Sequence, residues 1–422
     1  MSRQKRMIFK FGVTVIVVVA IYMYYAIKKG TDSIDSQESG SLSEDLDLKF
    51  YGVNKDELNV PHEAEMASTG NENGKNDAEA MKAVHLQDSA DEPSDRTSET
   101  FNNGIHLSVV ACGDRLEESV VMLKSAVLFS QSPLIFHIFA EHDLQQQFRD
   151  QLDIWPAEFR KRFQYHIYDL SFPMEGTSKP DEWKTLFKPC ASQRLFMPSI
   201  LTEVDALIYV DTDVLFLSPV DNIWGFFKSF NSTQLAALAP EHEDAAIGWY
   251  NRFARHPYYG ALGVNSGVML MNLTRLRSSP WLQSMVNYYK EYKLKITWGD
   301  QDLINIYFHF YPDQLYVYPC EWNYRPDHCM YMSICHSAEK TGAYVLHGCR
   351  RVWHSDKQPP FRAVYTAFKE HHLGVDIQYG LLENMNRYLE LEKNSNCGKV
   401  KHIFLSQIEK YINDNKDRKS NR

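Results

Sequence analysis

The part of the chain that can fold has no surplus of positive charge. The chain has 422 residues and a formal net charge of −9. Residues 1–30 contain six Lys or Arg and no acidic residue, whereas residues 31–100 contain 18 Asp or Glu against five Lys or Arg. The remaining residues, 101–422, therefore have a net charge of only −2. Since a nucleic-acid-binding protein needs a basic surface, this distribution predicts no nucleic-acid partner.

Two phosphate-binding signatures and one metal-binding signature are also missing. The sequence contains no G-x-G-x-x-G pattern and no Walker loop, so neither a dinucleotide nor an ATP fingerprint is present. None of its seven cysteines forms the C-x₂-C pair that is typical of structural zinc sites. Any nucleotide or metal must therefore bind through other residues.

Charge is absent from residues 11–27, which are apolar and aromatic. As a helix this segment would span about 25 Å, close to the core of a thin bilayer. Four basic residues precede it, so residues 1–10 are predicted to be a cytosolic tail, residues 11–27 a transmembrane signal-anchor, and the rest lumenal. A cleaved signal peptide is the alternative, but such a peptide usually has a shorter apolar core that ends in small residues.

Residues 28–100 are poor in aromatic residues and lack sustained hydrophobic periodicity. Such a segment cannot bury enough apolar surface to fold, which predicts a flexible acidic stem. A lumenal domain over residues 101–412 and a disordered tail over residues 413–422 are expected to follow. This order is typical of a single-pass type II membrane enzyme of the Golgi or endoplasmic reticulum. Glycosylation sequons at Asn231 and Asn272 agree with a lumenal location.

All seven cysteines follow the predicted anchor, which suits an oxidising compartment. The odd number leaves at least one cysteine without a disulfide partner. Cys112, inside a strand-like run, is our candidate for the unpaired residue. Cys329 and Cys335 are close enough in sequence to be partners, although connectivity does not follow from sequence.

Strand-like and helix-like segments alternate after residue 104, which predicts an α/β fold with an open sheet. The predicted strands are residues 105–112, 134–140, 163–170, 207–210, 264–272 and 344–347. The main predicted helices are residues 116–129, 191–201, 361–371 and 402–412, with another that begins near residue 300. The first turn, Ala111-Cys112-Gly113, would lie at the sheet edge where α/β proteins bind ligands.

The pattern Asp-x-Asp occurs three times, and composition alone makes a chance match expected. Asp45 and Asp47 lie in the polar stem and are predicted to be inert. Asp211 and Asp213 end the strong strand 207–210, where a sheet edge would present both carboxylates. The third match, residues 300–302, lies at another structured junction. We interpret Asp211 and Asp213 as half of a metal site for a nucleotide diphosphate.

Four short motifs together resemble glycosyltransferase family 8. They are Asp211-Thr212-Asp213, Asn265-Ser266-Gly267-Val268, Asp300-Gln301-Asp302 and His347-Gly348, and the resemblance covers roughly residues 105–370. Longer stretches over residues 188–195, 239–243, 248–260 and 322–329 are similar to the animal glucoside xylosyltransferases of that family. The resemblance implies a nucleotide-diphospho-sugar transferase (GT-A type) fold, with an open mixed sheet flanked by helices.

The resemblance implies that Asp211, Asp213 and His347 bind a divalent cation. Two carboxylates and one imidazole suit Mn²⁺, with Mg²⁺ as the second choice. Such a cation would act as a Lewis acid on the diphosphate leaving group. A larger set would bind the UDP-sugar donor: Ala111, Cys112, Gly113, Arg194, Asp211, Thr212, Asn265, Ser266, Gly267 and Lys357.

Asp300 and Gln301 are the predicted catalytic pair. Gln301 would hydrogen-bond the sugar, and Asp300 would orient hydroxyls, stabilise oxocarbenium charge or act as nucleophile. The family resemblance favours retention with attack from the same face. The aromatic residues predicted at the acceptor surface are Trp249, Tyr250, Trp322 and Tyr324.

The relatives that the chain resembles transfer α1,3-linked xylose from UDP-xylose to O-linked glucose on epidermal-growth-factor-like repeats, notably in Notch. The same reaction is therefore expected here. Two alternatives remain open at this stage. One is a transferase of the same fold that uses UDP-glucose or UDP-galactose, and the other is an inactive membrane-tethered sugar-binding protein.

Overall fold

A computed structural model describes residues 104–173, 183 and 190–420. The predicted cytosolic tail, signal-anchor and stem lie outside the described residues. Among the residues that the structure describes, no helix is both long and apolar enough to cross a membrane.

The described residues form one large mixed sheet and one small sheet. The strands are β1 Ile105–Ala111, β2 Leu134–Ala140, β3 Phe163–Tyr168, β4 Ala206–Val210, β5 Val214–Phe216, β6 Ala236–Pro240, β7 Val264–Asn272, β8 Leu315–Val317 and β9 Val345–His347. The large sheet has the order β3-β2-β1-β4-β7-β6-β8, and the small sheet pairs β5 with β9. β1 to β4 run parallel, whereas β7 runs antiparallel to β4 and β6. The predicted open mixed sheet is therefore confirmed.

Helices cover the sheet and extend beyond it. They are α1 Leu116–Phe129, α2 His142–Asp153, α3 Ala157–Arg160, α4 Met197–Ile200, α5 Val220–Trp224, α6 Trp249–Phe253, α7 Leu273–Arg277, α8 Trp281–Tyr292, α9 Asp300–Phe310, α10 His336–Thr341, α11 Pro359–Glu370, α12 Glu383–Leu391, α13 Asn396–Lys399 and α14 His402–Ser420. α1 has the bounds that its apolar spacing predicts.

Strand β4 shows why the sheet is covered on both faces. Leu207 and Tyr209 pack into a core with α8 and α9, whereas Ile208 and Val210 pack into the opposite core with α1 and α2. All four side chains are at most 2% exposed. Successive strand residues point to opposite faces, so a strand with no polar residue must be covered twice. The central position of β4 brings its carboxyl end to the middle of the sheet edge.

The C-terminal helices form a third core against the small sheet. Leu215 of β5 and Leu346 of β9 pack there with Phe361 of α11 and Phe404 of α14. Each fully buried Leu or Phe contributes about 1.5–3 kcal/mol to the free energy of unfolding. This core therefore holds β5 and β9, which flank the polar sheet edge, against the body of the domain.

Two predicted segments differ from the structure. The predicted helix 191–201 is divided into a 3-10 helix, Ala191–Phe196, and the short helix α4, which has Pro198 in its first turn. Proline lacks a backbone N–H and cannot continue an α-helix from upstream. At the other end, α14 continues to Ser420, although residues 413–420 are predicted to belong to a disordered tail.

The cysteine predictions are wrong in two respects. Cys112 is bonded to Cys190, and the other pairs are Cys320–Cys335 and Cys329–Cys397. The unpaired residue is Cys349. Pairing depends on spatial approach, and Cys329 and Cys335 each meet a cysteine from another part of the fold.

The two sequons lie in different surroundings. Asn231 is exposed in the turn before β6, where its side-chain oxygen accepts from the backbone N–H groups of Thr233 and Gln234. Asn272 is half-buried at the end of β7, and its side chain caps α7 by accepting from the N–H of Arg275 at 3.0 Å. Glycosylation of either residue stays a prediction, and Asn231 has the more accessible side chain.

Candidate active site

Pairing between two distant strands brings the three predicted metal ligands together. Asp211 and Asp213 lie between β4 and β5, and Val214 of β5 is paired with His347 of β9. The Nε2 atom of His347 lies 3.6 Å from Oδ2 of Asp211 and 3.4 Å from Oδ1 of Asp213. The predicted metal ligands therefore converge, although 134 residues separate Asp213 from His347.

The donor atoms of this triad fit a divalent cation. One ligand atom from each of Asp211, Asp213 and His347 lies within 4.8 Å of the other two. The His347 side chain is 5% exposed, while those of Asp211 and Asp213 are 28% and 15% exposed, so the carboxylates face the solvent side. Two carboxylates and one imidazole can bind Mn²⁺ or Mg²⁺ and leave positions open for other oxygen ligands.

Gly267 of β7 gives the imidazole its space. A Cβ atom added to Gly267 would lie 2.1 Å from Cε1 of His347 and 2.5 Å from its Nδ1. The carbonyl of Gly267 also accepts from the backbone N–H of Asp211 at 2.8 Å. The sequence predicts Gly267 as a donor-binding residue, and in the structure it contacts two of the predicted metal ligands, His347 and Asp211.

Arg194 lies between the metal-ligand residues and Asp300. Its Nη2 atom contacts Oδ1 of Asp211 at 2.8 Å, and its Nε atom lies 2.6 Å from Oδ2 of Asp300. Its Nη1 atom donates to the carbonyl of Ser266 at 2.6 Å, and the central carbon of its guanidinium lies 4.1 Å from the centre of the Tyr209 ring. Burial lowers the pKa of Arg194, but the charges of Asp211 and Asp300 outweigh burial and raise the pKa. The arginine is therefore a permanent cation between two carboxylates.

Asp300 is a buried acid at the first position of α9, with 4% of its surface exposed. Burial raises the pKa of Asp300 to about 6, although the positive charge of Arg194 opposes this shift. The contact with Arg194 is close but lacks the angles of a hydrogen bond, which leaves Oδ2 of Asp300 without a hydrogen-bond partner. A carboxylate in this state is suited to respond to positive charge that develops nearby.

Gln301 and Asp302 attach the start of α9 to the sheet and to Tyr250. The Oε1 atom of Gln301 accepts from the backbone N–H of Ser266 at 3.0 Å. Asp302 is fully buried, and its carboxylate accepts from the hydroxyl of Tyr250 at 2.8 Å and from two backbone N–H groups, at residues 297 and 298. The third Asp-x-Asp pattern therefore combines one site carboxylate, Asp300, with a structural one.

Asn265 is predicted to contact the sugar, yet protein groups already contact both ends of its amide. Its Nδ2 donates to Oε2 of Glu241 at 3.0 Å, and its Oδ1 accepts from Nδ2 of Asn323 at 2.8 Å. Glu241 and Asn323 are not among the predicted site residues. The only signal in the sequence is that both residues lie within stretches 239–243 and 322–329, which resemble the family.

Glu118 is a third residue near the site that the sequence reasoning did not identify. It is 2% exposed in α1, and its carboxylate accepts from the hydroxyl of Thr212 at 3.3 Å. It also contacts Arg115 and lies 2.8 Å from Nε2 of His354. Glu118 thus holds Thr212, the residue between Asp211 and Asp213, through this hydrogen bond.

The other predicted donor-binding residues have mixed positions. Cys112 and Gly113 follow β1, and the backbone N–H of Gly113 donates to Oε2 of Glu141 at 2.9 Å. Ala111 and Cys112 are buried, whereas Gly113 is exposed and has a φ of +62°. Lys357 is exposed in the connection before α11. A donor contact at any of these residues stays a prediction.

Three of the four predicted acceptor residues are buried, so that prediction is wrong for them. Tyr250 is 1% exposed and donates to Asp302, and Tyr324 is 0% exposed. Trp322 stacks on Tyr344 with a centroid distance of 3.9 Å and belongs to the core beneath the sheet. Aromatic residues are apolar first, and periodicity cannot separate a core ring from a surface ring. Trp249 remains half-buried.

A family model described as Glycosyl transferase family 8 matches residues 106–347, which contain the whole site except the segment after His347. The chain belongs to glycosyl transferase family 8. As a family member it is a glycosyltransferase, and the converging carboxylates and imidazole are the part of the fold that the family resemblance predicts as a cation site.

Comparison with individual proteins gives a more specific similarity. Glucoside xylosyltransferase 1 of Gallus gallus is 54% identical over 327 residues, covering 75% of this chain and 74% of the relative. Glucoside xylosyltransferase 1 of Homo sapiens is 54% identical over 321 residues, covering 74% of this chain and 72% of the relative. Glucoside xylosyltransferase 2 of Mus musculus is also 54% identical, over 72% of this chain and 71% of the relative.

A solved structure supports the fold. The galactosyltransferase LgtC in complex with donor and acceptor sugar analogues superposes with a TM-score of 0.50 and 15% identity. The match covers 65% of this chain and 99% of LgtC. The predicted GT-A type α/β fold is therefore confirmed for the described domain.

Proposed function

We propose that this glycosyltransferase is a retaining xylosyltransferase. It transfers α-xylose from UDP-xylose to the 3-hydroxyl of O-linked glucose on epidermal-growth-factor-like repeats, as in Notch. The observation that carries this proposal is the 54% identity to glucoside xylosyltransferases over about three quarters of the chain. The converging Asp211, Asp213 and His347 support an active enzyme, since a protein that only binds sugar has no need of this triad.

Each side chain at the site has a task in this reaction. Asp211, Asp213 and His347 would hold a divalent cation, Mn²⁺ or Mg²⁺, which would neutralise the diphosphate when bound. Arg194 keeps Asp211 in place through its 2.8 Å contact and adds fixed positive charge. Asp300 supplies a negative charge for the positive sugar carbon that develops as the bond to the diphosphate breaks. Gln301 holds Ser266 and thereby fixes the start of α9 against the sheet.

Replacement of Asp213 tests the cation site. In Asp213→Asn one anionic ligand becomes neutral while the side chain keeps its shape. We expect transfer to fall at least 100-fold, because the leaving diphosphate loses its bound counter-charge. The measurement is UDP release by the purified full-length protein with Mn²⁺ and with excess chelator. Asp143→Asn, an exposed change on α2, is the control, and full activity of Asp213→Asn or in chelator contradicts the cation site.

A donor panel tests the proposed substrate. The purified full-length protein is offered UDP-xylose, UDP-glucose and UDP-galactose with a glucosylated repeat and Mn²⁺. Transfer from UDP-xylose alone is the expected result. Preference for UDP-glucose or UDP-galactose indicates another transferase of the same fold, and sugar binding without any transfer indicates an inactive binding protein.

The proposed location is the lumen of the Golgi or endoplasmic reticulum, with residues 11–27 as the anchor of a type II membrane protein. Three disulfides within the described domain support an oxidising compartment. Protease treatment of sealed microsomes tests this topology. The domain should be digested only after detergent opens the vesicles, and digestion of intact vesicles contradicts the lumenal location.

A further inference from the structure

A row of buried polar side chains leads to the rear of His347. Arg325 contacts Oε2 of Glu241, and the same Oε2 accepts from Nδ2 of Asn265 at 3.0 Å. Oδ1 of Asn265 accepts from Nδ2 of Asn323 at 2.8 Å, and Oδ1 of Asn323 lies 3.0 Å from Nδ1 of His347. Asn323 is 0% exposed and Arg325 is 1% exposed. Glu241, Asn265 and Asn323 are called the Glu241 relay below.

The relay has only one consistent direction of donation. Burial lowers the pKa of Arg325, but the charge of Glu241 outweighs burial and raises it, so Glu241 faces a permanent cation. An ionised carboxylate can only accept, so Asn265 must turn its amide nitrogen toward Glu241. The oxygen of Asn265 therefore faces Asn323, whose own oxygen faces His347.

A backbone group confirms this direction independently. The N–H of Gly267 donates to Oδ1 of Asn265 at 3.1 Å. A backbone N–H cannot accept, so the atom that it contacts must be the amide oxygen of Asn265 and not the nitrogen. The assignment of this amide is thus fixed from two sides, by Glu241 and by Gly267.

This direction of donation determines which ring nitrogen of His347 carries the hydrogen. Because Oδ1 of Asn323 can only accept, Nδ1 of His347 must carry the hydrogen. In the neutral ring this leaves the lone pair on Nε2, which is the atom that faces Asp211 and Asp213. The opposite tautomer would present a hydrogen to the two carboxylates and could not bind a cation through Nε2.

We infer that Glu241, Asn265 and Asn323 are positioning residues that hold His347 as the Nδ1–H tautomer, with Nε2 ready to bind the cation. This inference rests on the proposed cation site and adds to it three residues that do not bind the cation themselves. Outer hydrogen bonds of this kind orient metal-binding histidines, and their loss typically weakens metal affinity 10- to 100-fold.

Two variants of Asn323 separate positioning from packing. Asn323→Leu keeps much of the volume but offers His347 no acceptor, whereas Asn323→Asp keeps an acceptor oxygen. The Mn²⁺ dissociation constant of each full-length protein is measured by electron paramagnetic resonance without sugar nucleotide. We expect a 10- to 100-fold increase for Asn323→Leu and less than a threefold change for Asn323→Asp. Equal affinities for both variants and the wild type, or equal losses in both, overturn the inference.

The tautomer can also be read in the wild type, where no variant has to fold. Nitrogen-15 labelling of the histidine rings, with His347→Gln to assign the signal, shows which ring nitrogen carries hydrogen in metal-free protein. A hydrogen on Nδ1 is expected, and a hydrogen on Nε2 overturns the inference. Failure of the wild type to bind Mn²⁺ would instead remove the proposed cation site on which the inference rests, and the donor panel would still test xylose transfer separately.

Discussion

The imidazole of His347 lies directly over the backbone of Gly267, so the residue type at one position of β7 sets the geometry of the site. Any side chain there would occupy the space of the ring. Charge is matched in the same way, since the buried Arg194 lies between the carboxylates of Asp211 and Asp300. At the residue scale, the volume of each side chain and its charge fit neighbouring residues that lie far apart in sequence.

Gly267→Ala is expected to disturb the site without changing any polar group. The added Cβ would lie 2.1 Å from Cε1 of His347, so the ring must leave its position beside Asp211 and Asp213. We expect the Mn²⁺ dissociation constant to rise about tenfold or more. Gly225→Ala is the matched control, because a Cβ at Gly225 meets nothing within 4 Å. Unchanged Mn²⁺ affinity in Gly267→Ala would show that the ring position does not matter for binding.

Asp300→Asn is expected to lower turnover while UDP affinity stays within about threefold. The neutral amide cannot balance positive charge on the sugar carbon, which costs about 10²-fold or more in kcat. Because burial raises the pKa of Asp300 to about 6, the folded state holds the ionised form at a cost, so the Asn variant should be no less stable. Steady-state kinetics and UDP calorimetry give the comparison. Tenfold weaker UDP binding with normal kcat would indicate a donor-positioning role instead.

At the scale of elements, a disulfide joins the two segments that approach the site from one side. Cys112 follows β1, and Cys190 precedes the 3-10 helix Ala191–Phe196 that carries Arg194. Cys190 has a φ of +68°, so the chain turns sharply into this helix. The small sheet acts similarly on the other side, since β9 brings His347 next to β5.

Replacement of Cys112 and Cys190 by serine is expected to affect both stability and the site. The disulfide spans 78 residues, and its loss should lower the free energy of unfolding by about 4 kcal/mol. UDP affinity should also fall, because the helix that carries Arg194 loses its attachment. The matched control is the double serine variant of Cys329 and Cys397, which spans 68 residues and does not hold Arg194. Equal UDP affinity in both variants would contradict the positioning role of the first disulfide.

At the scale of the whole molecule, the parallel half of the large sheet carries three histidines on neighbouring strands. His106 of β1 lies 2.8 Å from His137 of β2, and His137 stacks near His166 of β3. Burial lowers the pKa of each of the three, and neighbouring histidines add to this effect for His106 and His137. For His137 the pKa falls to about 3. The sheet therefore buries His137 as a neutral imidazole.

This arrangement predicts that the domain loses stability in acid. The pKa of His137 is 6.5 when unfolded and about 3 when folded, so the unfolded chain binds the extra proton between these values. The contribution of neutral His137 to the free energy of unfolding is complete above pH 6.5 and is lost as the pH falls toward 3. His137 alone should cost on the order of 2 kcal/mol between pH 7 and pH 5. Guanidinium unfolding at both pH values measures this loss. The free energy of unfolding should decrease less from pH 7 to pH 5 in His137→Gln than in the wild type. An equal decrease in both proteins would contradict the assignment to His137.

Features that depend on local pattern could be predicted from the sequence. The β1–α1–β2 order, the burial of β4 on both faces and the position of Asp211 and Asp213 at its end follow from hydrophobic periodicity and a sudden change to polar residues. The predicted metal ligands Asp211 and Asp213 also follow from this local pattern, whereas His347 is predicted only by resemblance to the family. Local patterns suffice for these features because each depends on only a few consecutive residues.

Which distant groups meet follows from the three-dimensional arrangement of the strands and helices. It paired Cys112 with Cys190, placed Tyr250, Trp322 and Tyr324 in the interior, and joined Glu241 to His347 through two asparagines. A disulfide, a buried ring and a hydrogen-bond relay all require distant segments to approach within a few ångströms. That approach is fixed by strand order and register, which one-dimensional periodicity does not contain.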